Sequence, residues 1–273
     1  MKAAFKTAEK ENQRHWDEIA PVHLNSYQSV KILKSGGVPL DEIQLGEVGE
    51  VAGKTLLHLQ CHIGTDSLSW ARKGAIVTGV DFSERSINCA NRLKLELSLD
   101  AMFIQSNVYD LRQHLDATFD IVYNSQGVLC WLRDLDQWAS LIAHFLKPGG
   151  FFYLMESHPV CDMFEEDESH ALQLTYPYFH LPSPTCWDEP SPDYSDATYI
   201  SHTPSYEWNW SISDIINALL KAGLALEFFN EYDRLFFKRF PGMVREADGW
   251  YYLPKVRGEI SVIIHLTRQE KLN

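Results

Sequence analysis

The sequence predicts an α/β fold built on a mostly parallel sheet, with a loop-rich segment inserted after the fifth strand. Three observations carry this. From about residue 55, short apolar runs alternate with stretches of helical periodicity, as βαβ units do. The first three runs end in polar turns, at Gly64, Asp81 and Asn107. The alternation then breaks at residue 157, and residues 157–210 hold seven of the twelve prolines and ten aromatics.

Taken in order, residues 8–35 read as helical and lie outside the sheet. Thr55-Leu56-Leu57-His58-Leu59 is a first strand that runs into a turn closed by Gly64. Asp66 to Lys73 is a helix with Leu68 and Ala71 on one face, stopped by Gly74. A second strand, residues 75–80, ends at Asp81. Ser83 caps the next helix, which runs to about Leu99 with Ile87, Ala90, Leu93 and Leu97 in one stripe.

Met102 to Ile104 and Asp120 to Tyr123 are the third and fourth strands. Asp134 with Gln137 resembles a capping box ahead of Trp138, Leu141, Ile142 and Phe145. Lys147-Pro148-Gly149-Gly150 stops that helix, and Phe151 to Met155 is a fifth strand. After the insertion, Ser211 to Asp214 caps a helix that ends at Gly223, and Leu224 to Phe229 and Ile260 to Leu266 are two further strands.

Composition narrows the function. The chain is 45% hydrophobic and carries a formal net charge of −13. No Lys or Arg occurs between Lys147 and Lys221, while residues 157–210 carry ten Asp/Glu. Nucleic acid is therefore not an expected partner, because phosphate backbones need basic stripes. No apolar run approaches the ~18 residues of a membrane span, and the polar N-terminus does not read as a secretory signal. Five scattered cysteines without a C-x-x-C pair suggest reduced thiols and a cytoplasmic protein. His58, Cys61 and His62 lack a second ligand pair, so no metal site is expected.

Chemistry is sought at the strand ends, where an open parallel sheet binds its ligands. The first turn, Gln60-Cys61-His62-Ile63-Gly64, leads into a helix N-terminus that exposes N–H groups. Asp81 follows Gly64 by 17 residues, where a carboxylate can accept from both hydroxyls of a ribose. Phe82 beside it can pack on an adenine face, and Asn107-Val108 can meet the adenine edge.

The series Leu56–Gly64, Val80-Asp81, Ser106-Asn107-Val108, Phe119-Asp120-Ile121-Val122-Tyr123 and Leu146-Lys147-Pro148-Gly149-Gly150 resembles the motifs of class I S-adenosylmethionine-dependent methyltransferases. The resemblance covers about residues 50–158, and resumes with the helix at 213–222 and the last strands. It departs at the first motif: His58 stands where that family carries an acid, and Gln60 and His62 replace glycines. A bacterial subgroup has a similar Gln-Cys-His-x-Gly turn.

The resemblance implies a Rossmann-like three-layer sandwich, with a seven-stranded, mostly parallel sheet whose last strand is antiparallel, plus a substrate cap. It implies one methyltransferase domain: residues 1–50 a helical cap, 51–158 the cofactor core, 159–210 the inserted cap, 211–273 the end of the sheet. S-adenosyl-L-methionine is the implied cofactor. The turn Gln60, Cys61, His62 and Gly64 would hold its methionine part, Asp81 its ribose, and Phe82, Asn107 and Val108 its adenine, with Ser83 also among the cofactor-binding residues. Asn124 and Ser125 would face the methyl-donor end, and Tyr27 would close over it from the N-terminal segment.

Substrate residues are expected from the N-terminal segment (Trp16, His23), the stretch after the fourth strand (Trp131) and the cap (Tyr206, Trp208), with residues 233–258 as a second cap. His158, just past the fifth strand, has the best address for a general base, ahead of His202, Glu207 and Glu156. For each, packing or capping is the rival explanation. The acid-rich, aromatic cap suits a small-molecule acceptor that is neutral or cationic. Two other functions compete: a non-catalytic S-adenosylmethionine-binding sensor or scaffold, and a nicotinamide-dependent oxidoreductase, which the missing G-x-G-x-x-G disfavours. Oligomeric state is not legible.

Overall fold

The structure is a computed structural model that describes residues 2–166, 171–247, 249–254 and 264–271. Five strands form a parallel core: β1 (Thr55–Leu59), β2 (Ile76–Asp81), β3 (Met102–Gln105), β4 (Phe119–Ser125) and β5 (Leu146–Ser157). Two more, β6 (Leu224–Tyr232) and β7 (Ile264–Lys271), extend it to the order β6-β7-β5-β4-β1-β2-β3. β7 runs antiparallel to both its neighbours. Part of the strand expected at 260–266 lies outside the described residues; the strand found runs on to Lys271.

Strand alternation sorts the core into two layers. Leu56, Ile121, Tyr123, Phe151, Tyr153 and Met155 face one side, and Leu57, Leu59, Val122, Phe152 and Leu154 the other. The first side is covered by α1 (Lys2–Ser26), α2 (Gln28–Lys34), α3 (Glu42–Val48), α4 (Thr65–Arg72) and α5 (Glu84–Leu97). The second is covered by α6 (Leu135–Phe145) and α7 (Ile212–Lys221). Parallel strands buried on both faces read as nearly continuous apolar runs, which is why β1 and β4 stand out in the sequence. Each large side chain so buried contributes about 1.5–3 kcal/mol.

The caps follow local chemistry. Ser83 accepts from the Ser86 N–H, and Ser211 with Asp214 forms a reciprocal capping box on α7. At α6 only half of the expected box forms: Asp134 accepts from the Gln137 N–H. One extended residue, Tyr27, separates α1 from α2 and turns the chain across the sheet's carboxyl edge.

The two most family-like motifs meet at the opposite edge. Asp120 accepts from the Thr55 N–H (2.8 Å), the Thr55 hydroxyl (2.7 Å) and Lys147 Nζ (2.9 Å). A Cβ on Gly150 would sit 2.9–3.0 Å from three carbonyl oxygens of this corner. The F-D-I-V-Y and L-K-P-G-G segments thus clamp strand starts together and stand away from the ligand edge. The described residues between 164 and 207 form short two-stranded ribbons and no helix, in keeping with their proline content. Among the described residues no helix is long and apolar enough to cross a membrane, and no group of three or more His, Cys, Asp or Glu could hold a metal ion.

Candidate functional site

A cavity of about 530 Å³ opens over the carboxyl ends of β1, β2 and β4, between the sheet and α1–α2. Its floor is the turn after β1. Gln60 and His62 hold φ of 54° and 49° there, left-handed values that cost a side-chain-bearing residue roughly 1–2 kcal/mol. So the backbone keeps a shape that suits glycine while carrying two polar side chains. The shape is fixed by Cys61 N–H donating to Val80 O (2.8 Å) and His62 N–H donating to Asp81 Oδ2 (2.8 Å). Gly64 (φ 75°) starts α4 with no room for a Cβ, which would fall 2.8 Å from the Phe103 ring.

Asp81 closes the end of β2. Its Oδ1 accepts from Ser83 N–H (2.9 Å), and burial pushes its carboxyl up to about 6. A carboxylate has about four lone-pair positions, so two backbone bonds leave acceptor capacity on the cavity side. Next to it stand Phe82, Asn107, Val108, Tyr109, Trp131 and Leu132, which make this end of the cavity mainly apolar. Trp16 meets Trp131 edge-on (5.3 Å between centroids) and lies against His62 (4.8 Å).

Of the residues expected at the cofactor, Tyr27, Gln60, Cys61, His62, Asp81, Phe82, Asn107, Val108 and Ser125 all line this cavity, as do Trp16 and Trp131. Others do not. Asn124 lies on the opposite face of β4, fully buried, donating to Leu59 O (2.7 Å) and accepting from Trp138 Nε1 (3.1 Å). Gly64 and Ser83 shape the turn and cap α5 without reaching the wall; the Ser83 hydroxyl donates to Asp17 (2.6 Å).

His158 is a corrected expectation. Its Nδ1 accepts from the Val160 N–H (3.1 Å), Nε2 lies 3.2 Å from Glu231, and it is not on the wall. Capping won over catalysis. Glu156, buried under the wall, accepts from the N–H groups of Gly127 (2.5 Å), Val128 (2.6 Å) and Leu129 (3.0 Å), and so shapes the loop after β4. His202 and Glu207 are also off the wall.

Tyr206 pairs its backbone with the Asn12 amide, Trp208 is buried with its N–H on Cys130 O, and neither borders the cavity. Trp210 stacks on His180 (3.9 Å) under the insertion.

His23 also leaves the substrate set and becomes a fastener. It is fully buried, with Nε2 2.9 Å from Asp193 and Nδ1 2.7 Å from His62 Nε2. His62 Nδ1 in turn lies 2.9 Å from Ser86 Oγ. One consistent proton assignment has Ser86 donating to His62, His62 to His23, and His23 to an ionised Asp193. Asp193 also accepts from Ser195 N–H (2.8 Å) and hydroxyl (2.5 Å), and these donors hold its carboxyl down at about 2. The chain ties α1, the floor turn and the insertion together, and Tyr27 stacks on His23 (4.4 Å) while bonding Tyr194.

Sequence reasoning missed the far wall: Ile32, Pro39, Tyr194, Phe236, Phe237 and Arg245. It also missed Asp66, in the first turn of α4. The signal for Phe236, Phe237 and Arg245 was the address of residues 233–258 as a second cap; for Ile32, Pro39 and Tyr194 it was only the cap segments that contain them.

Comparison with known proteins agrees with this geometry. A family model described as a methyltransferase domain matches residues 57–152. A cypemycin N-terminal methyltransferase from a Streptomyces species is 31% identical over 128 residues, 46% of this chain and 50% of that protein. A ubiquinone biosynthesis O-methyltransferase from Saccharophagus degradans is 28% identical over 157 residues, 55% of this chain and 61% of that protein. The chain therefore spans about half to three fifths of the length of these relatives. A solved structure, an S-adenosylmethionine-dependent methyltransferase from Listeria monocytogenes, superposes with a TM-score of 0.58 at 18% identity, over 84% of this chain and 98% of that one. The matched segment runs from within β1 into β5 and includes the turn and Asp81, and the solved structure shares the fold.

Proposed function

We propose that this chain is an S-adenosylmethionine-dependent methyltransferase acting on a small-molecule acceptor. Residues 51–158 form its cofactor core, and residues 1–50, 159–210 and 233–254 close over it. The observation that carries the proposal is Asp81, a buried carboxylate at the end of β2 whose lone pairs face a cavity with an apolar, aromatic end. The cavity's size falls in the range of about 300–1,000 Å³ typical of small-molecule sites.

The residues present fit the cofactor. Asp81 would receive the ribose hydroxyls, and Phe82, Asn107 and Val108 the adenine. Gln60 Oε1 is buried without a hydrogen-bond donor among the described residues, which is the state of a group that waits for a ligand. Gln60, Cys61, His62 and Ser125 would border the methionine part.

The cofactor supplies a methyl group activated by the positive charge on its sulfur. Transfer is an in-line displacement, in which the acceptor's lone pair forms the new bond as the carbon–sulfur bond breaks onto sulfur. The chain's part is alignment and exclusion of water. The two histidines among the described lining residues are poor bases: His62 has both nitrogens engaged, and burial holds His58 down at about 3. An acceptor that needs no enzymatic base suits this site.

Residues 157–210 carry ten Asp/Glu and no Lys or Arg, and Arg245 is the one Lys/Arg side chain among the described lining residues. This favours a neutral or cationic acceptor, seated against Tyr194, Phe236 and Phe237. The test is S-adenosylhomocysteine formation from S-adenosylmethionine over a panel of amines, phenols and carboxylic acids. Turnover on neutral or cationic compounds is expected. Cofactor binding without turnover across the panel would favour a sensor, and turnover confined to anions would overturn the acceptor class.

A further inference from the structure

One carboxylate on the cavity wall has no role in the binding pattern above. Asp66 stands in the first turn of α4, and burial pushes its carboxyl up. Oδ2 accepts from the Ser125 hydroxyl (2.8 Å) and, more weakly, from Tyr123 OH (3.4 Å), whose oxygen accepts from Gln44 Nε2 (2.5 Å). Hydroxyls of Ser125, Tyr123 and Thr65 orient the group but leave its charge unmatched. Among the described residues no Lys, Arg or His makes an ion pair with it. A half-buried carboxylate on a cavity wall with no counter-charge gains from a ligand that supplies a cation.

Gln60 points the same way. Its Nε2 donates to Val128 O (2.9 Å), which fixes the amide, and its buried Oε1 has no donor. Ser125 and Val128, the partners of Asp66 and Gln60, stand three residues apart at and just past the end of β4, and both acceptors line the same cavity. His58, within β1, lines the same cavity. It is buried against Ser67 (2.8 Å) and stays neutral, since its value is near 3.

We propose that Asp66 and Gln60 together form the recognition site for the α-ammonium group of the methyl donor. This assignment rests on the methyltransferase reading. Asp66 supplies the counter-charge and Gln60 Oε1 a second acceptor. Neither residue takes part in bond making.

The test is calorimetric titration of the full chain with S-adenosylhomocysteine and with its analogue lacking only the α-amino group. The wild-type protein is expected to prefer the amino compound by about tenfold or more, the scale of a charge-assisted bond. Asp66→Asn, which keeps the shape, should erase that preference by weakening the amino compound alone. Gln60→Met should reduce it in the same direction by a smaller factor. Asp81→Asn should weaken both ligands alike, because both carry the ribose. Equal losses for both ligands in Asp66→Asn would overturn the proposal in favour of turn support. A loss seen only with S-adenosylmethionine, and not with its demethylated product, would assign Asp66 to the sulfonium. No loss at all would leave it to a cationic acceptor. If the wild-type protein binds neither ligand, the methyl-donor reading itself falls.

Discussion

Gly64 and Gly79 share one obstacle, the Phe103 ring, and this makes the floor of the cavity open to a quantitative test. A Cβ on Gly64 would lie 2.8 Å from Phe103 Cε1 and Cζ and 3.0 Å from Ala90 Cβ, at a φ of 75°. A Cβ on Gly79 would meet the same ring at 2.8 Å and Cys61 Sγ at 3.0 Å, without a left-handed φ. Gly64→Ala therefore combines about 1–2 kcal/mol of backbone strain with about 1–3 kcal/mol of overpacking. Gly79→Ala carries the overpacking alone. Phe103 is only partly buried, so its ring can yield, which puts the overpacking near the lower end. The expected losses are about 2–3 kcal/mol for Gly64→Ala and about 1–2 kcal/mol for Gly79→Ala.

Phe103→Leu provides the internal control. In that background Gly64→Ala should still cost the strain of about 1–2 kcal/mol, whereas Gly79→Ala should lose most of its effect. Urea unfolding followed by tryptophan fluorescence gives all six stabilities. The reasoning fails if Phe103→Leu leaves both costs unchanged, or if Gly64→Ala becomes free of cost in the leucine background.

Three further outcomes follow from the same geometry. Asp193→Asn should lower stability by about 2–3 kcal/mol at pH 7, because a carboxyl held near 2 against an ordinary 3.8 favours the folded state once ionised. That contribution is present above pH 3.8 and lost as pH falls through 2, so urea midpoints of variant and wild type should converge in acid; a constant gap would refute it. His158→Gln should cost on the order of 1 kcal/mol through its lost cap, yet leave S-adenosylhomocysteine affinity unchanged in calorimetry. A large fall in affinity would return His158 to the site. Trp131→Leu should weaken adenosine-bearing ligands by roughly tenfold through lost ring contact, with little effect on the unfolding midpoint; equal binding would remove Trp131 from the wall.

How far the sequence disclosed this molecule depended on periodicity. β1, β2 and β4 were legible because strands buried on both faces are unbroken apolar runs, and strand ends in a parallel sheet give addresses for ligands. Asn124 was misassigned although the signal was present. It shares the face of Val122, two residues earlier, which packs towards α6. His23 and Asp193 are 170 residues apart and meet through a proline-rich insertion, a contact no local pattern encodes. Tyr194, Phe236 and Phe237 stand in irregular segments and Arg245 in a two-residue strand, so no periodicity announces them. Asp66 looked like an acid complementing a helix N-terminus, the ordinary use of that position. Only the unmatched charge beside a cavity separates it from that use. The turn at Gln60–Gly64, atypical in sequence, kept its backbone shape because hydrogen bonds to Val80 and Asp81 hold two non-glycine residues left-handed.

The central claim is that the end of β2 and the turn after β1 hold S-adenosylmethionine. Calorimetry of the wild-type chain and Asp81→Asn against S-adenosylhomocysteine tests it most directly. Saturable binding is expected for the wild type, with a loss of about tenfold or more in the variant, whose amide no longer accepts from the ribose as a carboxylate does. Unchanged affinity in Asp81→Asn, or binding of a nicotinamide dinucleotide in place of S-adenosylhomocysteine, would contradict it.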